Sequence, residues 1–468
     1  MTLIQISTFV ALSLLARVFG SRLPRRWTLL TISVLAVFWL QPASPIRNLD
    51  FWLPLLTISI AAAAWAVTLP AGTRPARRDG IAGFFVLGLA LAVALTRYIP
   101  ALCCLTPSRP PETLPLLLGM GIFFGVVWLV GRGFARQPWT LHARVLAVIF
   151  LFIILKSEPL AQLTAAGLRG LMGQDPTLAQ PTDLRWLGFS YLAFRLLHTL
   201  RDRLSGRLPA LYLDEFLTYA VFFPSLTAGP IDRVERFQKD LQTEFQLDAI
   251  RFLEAGERLA QGLFMKFVLG DALALFALNP ANAAQVSTTG WAWLLLYAYA
   301  LRLFFDFAGY THMAIGLGLL FGIRLPENFN RPYLQPNLTA FWNGWHMTLT
   351  NWLRAYVFNP FTRALRARKW SIAPIILLGQ LLTMLLVGLW HGITLNFAIW
   401  GLWHGLGLFT HNRWADFAKG RLNVSPQLAA ISGALLTFHF VALGWVWFAL
   451  PDPGLAGRVL RLLAGGAP

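Results

Sequence analysis

Apolar residues in this chain come in long runs, not in alternation with polar ones. The first seven runs lie near 3–19, 27–40, 51–69, 81–97, 114–130, 145–157 and 184–200. Such runs suit an α-helix crossing about 30 Å of hydrocarbon. Hydrocarbon offers no water to backbone polar groups, so the runs predict helices. The short alternating segments of a membrane β-barrel are not seen.

The second half is less regular. Runs appear near 211–228, 258–278, 291–305, 310–323, 371–389, 393–410 and 427–450. Between them, residues 231–257 are too charged to span, with Asp232, Arg233, Glu235, Arg236, Lys239, Asp240, Glu244 and Glu254. Residues 337–369 mix aromatic and polar groups, including Trp342, Asn343, Trp345, His346, Thr348, Asn351, Trp352 and Arg354. That mixture predicts re-entrant helices, or helices packed against a polar cavity, where irregular backbone is tolerated. The pattern therefore predicts an all-α polytopic membrane protein with about 11–12 spans plus partial helices. No internal repeat suggests a transporter built from two halves. We expect a single membrane domain over 1–468, in which 1–183 form a helical frame, 184–450 the catalytic core and 451–468 a short tail.

Composition agrees with the pattern: 56% of residues are hydrophobic, 13% are charged, and the mean hydropathy is +0.58. A soluble chain of 468 residues would carry more polar surface. The net charge of +18 comes from 34 Arg and 5 Lys against 21 acids. In a soluble protein this would suggest nucleic acid. Here the cations cluster between apolar runs, which reads as topology signalling and contact with membrane lipid headgroups, not as nucleic-acid binding. Arg22, Arg25, Arg26, Arg74, Arg77, Arg78, Arg132, Arg136, Arg144, Arg201, Arg203 and Arg207 fill alternate loops, and the intervening loops hold Arg47, Arg97, Arg109, Lys156 and Arg169. The heavier loops are then cytoplasmic and the N-terminus outside. The first run reads as a membrane helix and not as a cleaved signal. Cys103 and Cys104 are adjacent and make neither a disulfide framework nor a metal motif.

Several chemistries lack their motifs. There is no Gly-Lys pair for a P-loop, no D-x-D for a metal-dependent glycosyltransferase, no H-E-x-x-H or CxxC for zinc, and no G-x-S-x-G elbow. Histidine remains, with five of eight between residues 312 and 411. His391, in Gly388-Leu389-Trp390-His391-Gly392, follows an apolar run. A neutral imidazole there can take a proton from a hydroxyl, or simply bond a neighbouring helix. His346, in Phe341-Trp342-Asn343-Gly344-Trp345-His346, can orient a substrate or stabilise an oxyanion. Interfacial anchoring by Trp342, Trp345 and Trp352 explains that stretch equally well. His404 and His411 share a helix face, where packing is the expected role. Asp306, an acid among apolar residues, is expected to pair with Arg302 one turn away or to cap a broken helix.

The stretches FFDFAGYTHMAIGLGLLFGIRLPENFNRPYLQPNLTAFWNGWHMTLTNWLRAYVFNP (304–360) and MLLVGLWHGITLNFAIWGLWHGL (384–406) resemble the bacterial membrane-bound O-acyltransferases. Upstream, FFPSLTAGPIDRVERF (222–237) looks most like the branch of the teichoic acid D-alanyl transfer proteins, with the alginate O-acetylation branch next. Thr311-His312 and Ala355 depart from the family's frequent Ser-Asp and Asp. The resemblance covers about 185–450. It implies a ring of helices around a thin centre with a funnel on each side. It also implies a catalytic role for His391 and a supporting one for His346.

On that footing the expected reaction moves an acyl group, D-alanyl or acetyl, from a thioester to a hydroxyl of a cell-wall or secreted glycopolymer. His391 is the expected base, and His346, Asn343 or Asn396 the oxyanion donor. Trp345, Trp390 and Asp306 complete the expected site. No metal or tightly bound cofactor is required, because the donor, on coenzyme A or an acyl carrier protein, brings the activated bond. A secreted or membrane-anchored transferase is a further expected partner, and the bacterial cytoplasmic membrane the expected location. Rival readings are a transporter or flippase for a lipid-linked saccharide, a polyprenyl-dependent glycosyltransferase, and a non-catalytic family member that recruits a partner.

Overall fold

The computed structural model describes residues 2–19, 24–70, 73–99, 105–121, 125, 138–244, 247–421 and 425–467. Cys103, Cys104, Arg22, Arg132, Arg136 and most of the 114–130 run lie outside the described residues. Helices make up the architecture, and no strand forms among the described residues beyond an isolated bridge between Phe329 and Trp345. The chain folds as two compact units, Met1–Gly256 with Ala314–Leu325, and Glu257–Met313 with Pro326–Pro468.

In the first unit, the apolar runs become helices Leu3–Phe19, Arg25–Leu40, Leu49–Thr68, Arg77–Leu95, Pro138–Lys156 and Phe189–Leu204. The last five of these share a core with helix Leu213–Ala220 that includes Phe38, Phe51, Trp65, Val86, Leu192 and Phe216. Charged groups in this core are tied down. Arg195 is buried and donates to the carbonyls of Tyr219, Ala220 and Ser225 and to the Ser225 hydroxyl. Arg78 makes a forked pair with Asp214 at 2.9 and 2.7 Å. Arg25 donates to the carbonyls of Phe321, Gly322, Asp240 and Thr243. The charged stretch after residue 230 makes the amphipathic helix Val234–Gln242, whose buried side is Val234, Phe237 and Leu241.

In the second unit, the runs near 371–389, 393–410 and 427–450 become helices Ile372–His391, Leu395–Ala418 and Pro426–Ala449. The polar, aromatic stretch breaks into the short helices Leu338–Gly344 and Met347–Leu353, a π-helical turn Arg354–Phe358, and Asn359–Ala367. This matches the partial helices expected there. The runs near 291–305 and 310–323 are one continuous helix, Thr289–Leu320, which lies in the second unit up to Met313 and in the first from Ala314. Asp306 does not break it. Its carboxylate pairs with Lys266 of the π-helical turn Phe264–Gly270, which corrects the expected pairing with Arg302. A charge met from a neighbouring helix needs no helix end to satisfy it.

Five helices among the described residues are long and apolar enough to cross a membrane: Leu49–Thr68, Arg77–Tyr98, Thr289–Leu320, Ile372–His391 and Pro426–Ala449. A sixth candidate is the pair His142–Lys156 and Glu158–Leu171, bent by 94°. The sequence count of eleven or twelve took most of the fourteen apolar runs as spans. Several of these runs fold as shorter helices: 211–228 supplies only the eight-residue helix Leu213–Ala220 and a turn at Phe223–Ser225. The fold is that of an all-α polytopic membrane protein.

Candidate active site

The site residues singled out in the sequence all lie in the second unit. His391 is the last residue of helix Ile372–His391. The chain leaves it through Gly392, in extended conformation, and re-enters a helix at Leu395, capped by the Thr394 side chain. The two helices of this hairpin pack backbone to backbone. A Cβ on Gly388 would sit 2.1 Å from the Phe397 carbonyl oxygen, and one on Gly401 2.5 Å from that of Met384. In a bilayer, where apolar burial does little to join helices, small residues that allow such approach are the usual means of association.

The hairpin closes an aromatic enclosure around the half-buried His391. Ring centroids lie at 4.4 Å for Trp390, 4.6 Å for Phe448, 5.7 Å for Trp400 and 5.8 Å for Phe397. Trp390 also reaches His346, centroid to centroid at 6.1 Å. The two imidazoles therefore flank one indole. Between Glu327 and Asp416 the chain has no Asp or Glu, so no carboxylate from this stretch orients either imidazole.

His346 sits where helix Leu338–Gly344 gives way to helix Met347–Leu353, in the left-handed conformation with φ 45° and ψ 52°. Such a conformation is uncommon outside glycine and persists where surrounding contacts enforce it. Here they come from Asn328. Its backbone oxygen accepts from Met347 N at 2.9 Å, and its side-chain Oδ1 from Thr348 N at 3.2 Å and Thr348 Oγ1 at 2.8 Å. These bonds serve first-turn N–H groups that a helix start leaves without intrahelical partners. The same Oδ1 meets His346 Nδ1 at 3.1 Å. Phe307 packs on the ring edge-to-face at 4.8 Å. The imidazole is 3% exposed, and Nε2 has no hydrogen-bond partner among the described residues. His346 lies outside the five candidate spans, and its burial holds its pKa well below the ordinary histidine value. Burial therefore favours the neutral imidazole.

The other expected site residues divide. Trp390 joins the two histidines. Trp345 packs within a cluster of Phe341, Phe329 and Trp445. Asn343 accepts from Arg354 and lines a cavity of about 220 Å³ with Trp342, Gln380, Met384 and Asn412. Neither His346 nor His391 lines that cavity. Asn396 is buried, with its amide nitrogen donating to the Leu450 carbonyl and its Oδ1 without a partner among the described residues. Asp306 is committed to Lys266. His404 is fully buried and faces Trp342 and Trp400 at 5.3 and 4.9 Å, with neither ring nitrogen partnered among the described residues. Sequence reasoning missed Asn328, Phe307 and Phe448. The one available signal was an asparagine, Asn328, just ahead of the Trp-His stretch that it contacts.

The sequence profile described as "MBOAT, membrane-bound O-acyltransferase family" matches residues 147–448, well over half of the chain. The chain belongs to this family. The membrane-bound O-acyltransferase match takes in both histidines, Asn328 and the aromatic enclosure. Among relatives, the probable alginate O-acetylase AlgI of Pseudomonas syringae is 38% identical over 297 residues, which is 62% of this chain and 53% of that protein. The teichoic acid D-alanyltransferase of Bacillus subtilis is 34% identical over 57% of this chain and 69% of its own length. The peptidoglycan O-acetyltransferase of Helicobacter pylori is 35% identical over 57% of this chain and 51% of its own. The chain thus spans about half the length of the first and third of these O-acyltransferase relatives.

Proposed function

We propose that this protein transfers an acyl group, acetyl or D-alanyl, from a cytoplasmic thioester to a hydroxyl of an extracytoplasmic glycopolymer, in the cytoplasmic membrane of a bacterium. The observation that carries the reading is the pair of imidazoles about Trp390, inside an aromatic enclosure and within the segment matched to the family. Relatives named for acetyl and for D-alanyl transfer support the reaction class.

In this reading His391 takes the proton of the acceptor hydroxyl as its oxygen attacks the thioester carbonyl. The tetrahedral oxyanion collapses, the C–S bond breaks, and the thiolate leaves with the proton that the imidazolium returns. General-base help of this kind is worth about 10²–10⁴ in rate. Holding donor and acceptor together supplies the larger remainder. The donor, on coenzyme A or an acyl carrier protein, enters as a substrate.

The test is transfer of labelled acetyl or D-alanyl groups to surface polymer in a strain lacking the gene, complemented with wild type or His391→Ala at matched membrane levels. Wild type is expected to label polymer and His391→Ala to lose at least about 10²-fold. Equal transfer by both would remove His391 as the base. No transfer of either label by wild type would favour transport over catalysis.

A further inference from the structure

Asn328 is fully buried, its Nδ2 has no partner among the described residues, and its side-chain oxygen lies within hydrogen-bond distance of three groups. One of them has a polarity that cannot change: the Thr348 backbone N–H, 3.2 Å away. Turning the carboxamide over would set its NH₂ against that N–H, one donor facing another. The oxygen therefore faces Thr348 and, with it, His346 Nδ1 at 3.1 Å. An oxygen can only accept. A neutral imidazole bonded to it must carry its proton on Nδ1, which leaves Nε2 as a bare lone pair. That atom is buried and has no partner among the described residues.

We propose that Asn328 is a positioning residue that holds His346 as the Nδ1–H tautomer, so that Nε2 accepts a polar hydrogen of the acceptor substrate. The proposal rests on the acyltransferase reading of this site. Of the two roles open to His346 from sequence, orienting a substrate and donating to an oxyanion, it selects the first, because a neutral ring in this tautomer has no proton on Nε2 to give. The division of labour is then that His346 holds a neighbouring hydroxyl of the same sugar or polyol, while His391 takes the proton of the attacking one. An amide suits this task better than a carboxylate. It fixes the tautomer without an adjacent negative charge that would favour the imidazolium.

The experiment has a spectroscopic arm and a kinetic one, both on the full chain in lipid bilayers. With ¹⁵N-labelled histidine, the His346 signals are identified by their loss in His346→Gln. The expected result is a protonated, pyrrole-type Nδ1 and an unprotonated, pyridine-type Nε2. The opposite tautomer, or an imidazolium at neutral pH, overturns the proposal whatever the activity. Asn328→Asp retains an acceptor for Thr348 N–H, so the helix start survives, but sets a carboxylate beside the ring. The pH at which its His346 ¹⁵N signals titrate is expected to move up by about 1–3 units, with kcat/KM for the acceptor lowered. Thr348→Val keeps the Asn328–His346 bond and is expected to leave both spectrum and kcat/KM unchanged. An unmoved His346 titration in Asn328→Asp, or the same change in Thr348→Val, would show that Asn328 serves only the fold. If wild type transfers no acyl group, the acyltransferase reading fails, and the spectrum still decides the tautomer.

Discussion

Trp390 packs edge-to-face on His391, with ring centroids 4.4 Å apart and planes inclined at 61°. The same indole stands 6.1 Å from His346, so it sets the spacing of the two imidazoles. Trp390→Phe keeps a ring in place and should retain most transfer. Trp390→Ala removes it and should lower kcat/KM by about tenfold or more, a loss of roughly 1.4 kcal/mol of transition-state stabilisation. Steady-state transfer assays on matched amounts of protein decide this. Equal rates for Trp390→Ala and wild type would mean that the indole does not position the site.

The hairpin that carries His391 depends on Gly401. A methyl there would lie 2.5 Å from the Met384 carbonyl oxygen and 2.9 Å from Leu385 Cα. Backbone atoms cannot yield as a flexible side chain can, so Gly401→Ala should part the helices. The cost should be about 1–3 kcal/mol of stability, as for overpacked cores, with transfer lost as well. Thermal unfolding in detergent, read beside activity, tests both.

Arg195 should be indispensable to the first unit. Replacing it with Leu leaves the carbonyls of Tyr219, Ala220 and Ser225 without this donor in a buried setting. Each such loss costs about 1–3 kcal/mol, so Arg195→Leu should lower the unfolding midpoint sharply. Arg195→Lys should not restore it, since an ammonium lacks the planar fork. A lysine variant as stable as wild type would contradict the geometry.

Asp306 invites a milder expectation. Lys266, its partner, also lies 3.5 Å from Asp271, and both Lys266 and Asp306 are partly exposed. Asp306→Asn leaves Lys266 with a second carboxylate, so the coupling in a Lys266/Asp306 double-mutant cycle should be about 1 kcal/mol or less. Transfer should stay near wild type. A complete loss in Asp306→Asn, with the protein folded, would return Asp306 to the reacting centre.

His346 links stability to pH. Burial lowers its pKa from the ordinary 6.5, so the folded chain resists a proton that the unfolded chain accepts. Stability is then lost as pH falls through the unfolded value. From about pH 7.5 to 5.5 this one group should cost about 1.4 kcal/mol. His346→Gln should show a correspondingly flatter dependence when unfolding is followed at the two pH values. An unchanged dependence would mean that His346 takes up its proton at the same pH in the folded and unfolded chain.

What the sequence determined by itself was the class of fold and the residues of interest. Long apolar runs can only be helices in hydrocarbon, and histidines beside tryptophan and glycine stand out in a chain with so few polar groups. Family membership was legible for the same reason, since its motifs are contiguous in sequence. The tertiary structure alone decided which partner each polar group takes. Asp306 turned from a neighbour one turn away to Lys266, forty residues off. Two apolar runs joined into the single helix Thr289–Leu320, while others stopped short of a span. Asn328 reached His346 across eighteen residues, its side-chain oxygen 3.1 Å from Nδ1. Hydropathy is a sum over neighbours in the chain, and a run of residues reveals it. A hydrogen bond depends on distance and direction between two atoms, and only packing brings those atoms together.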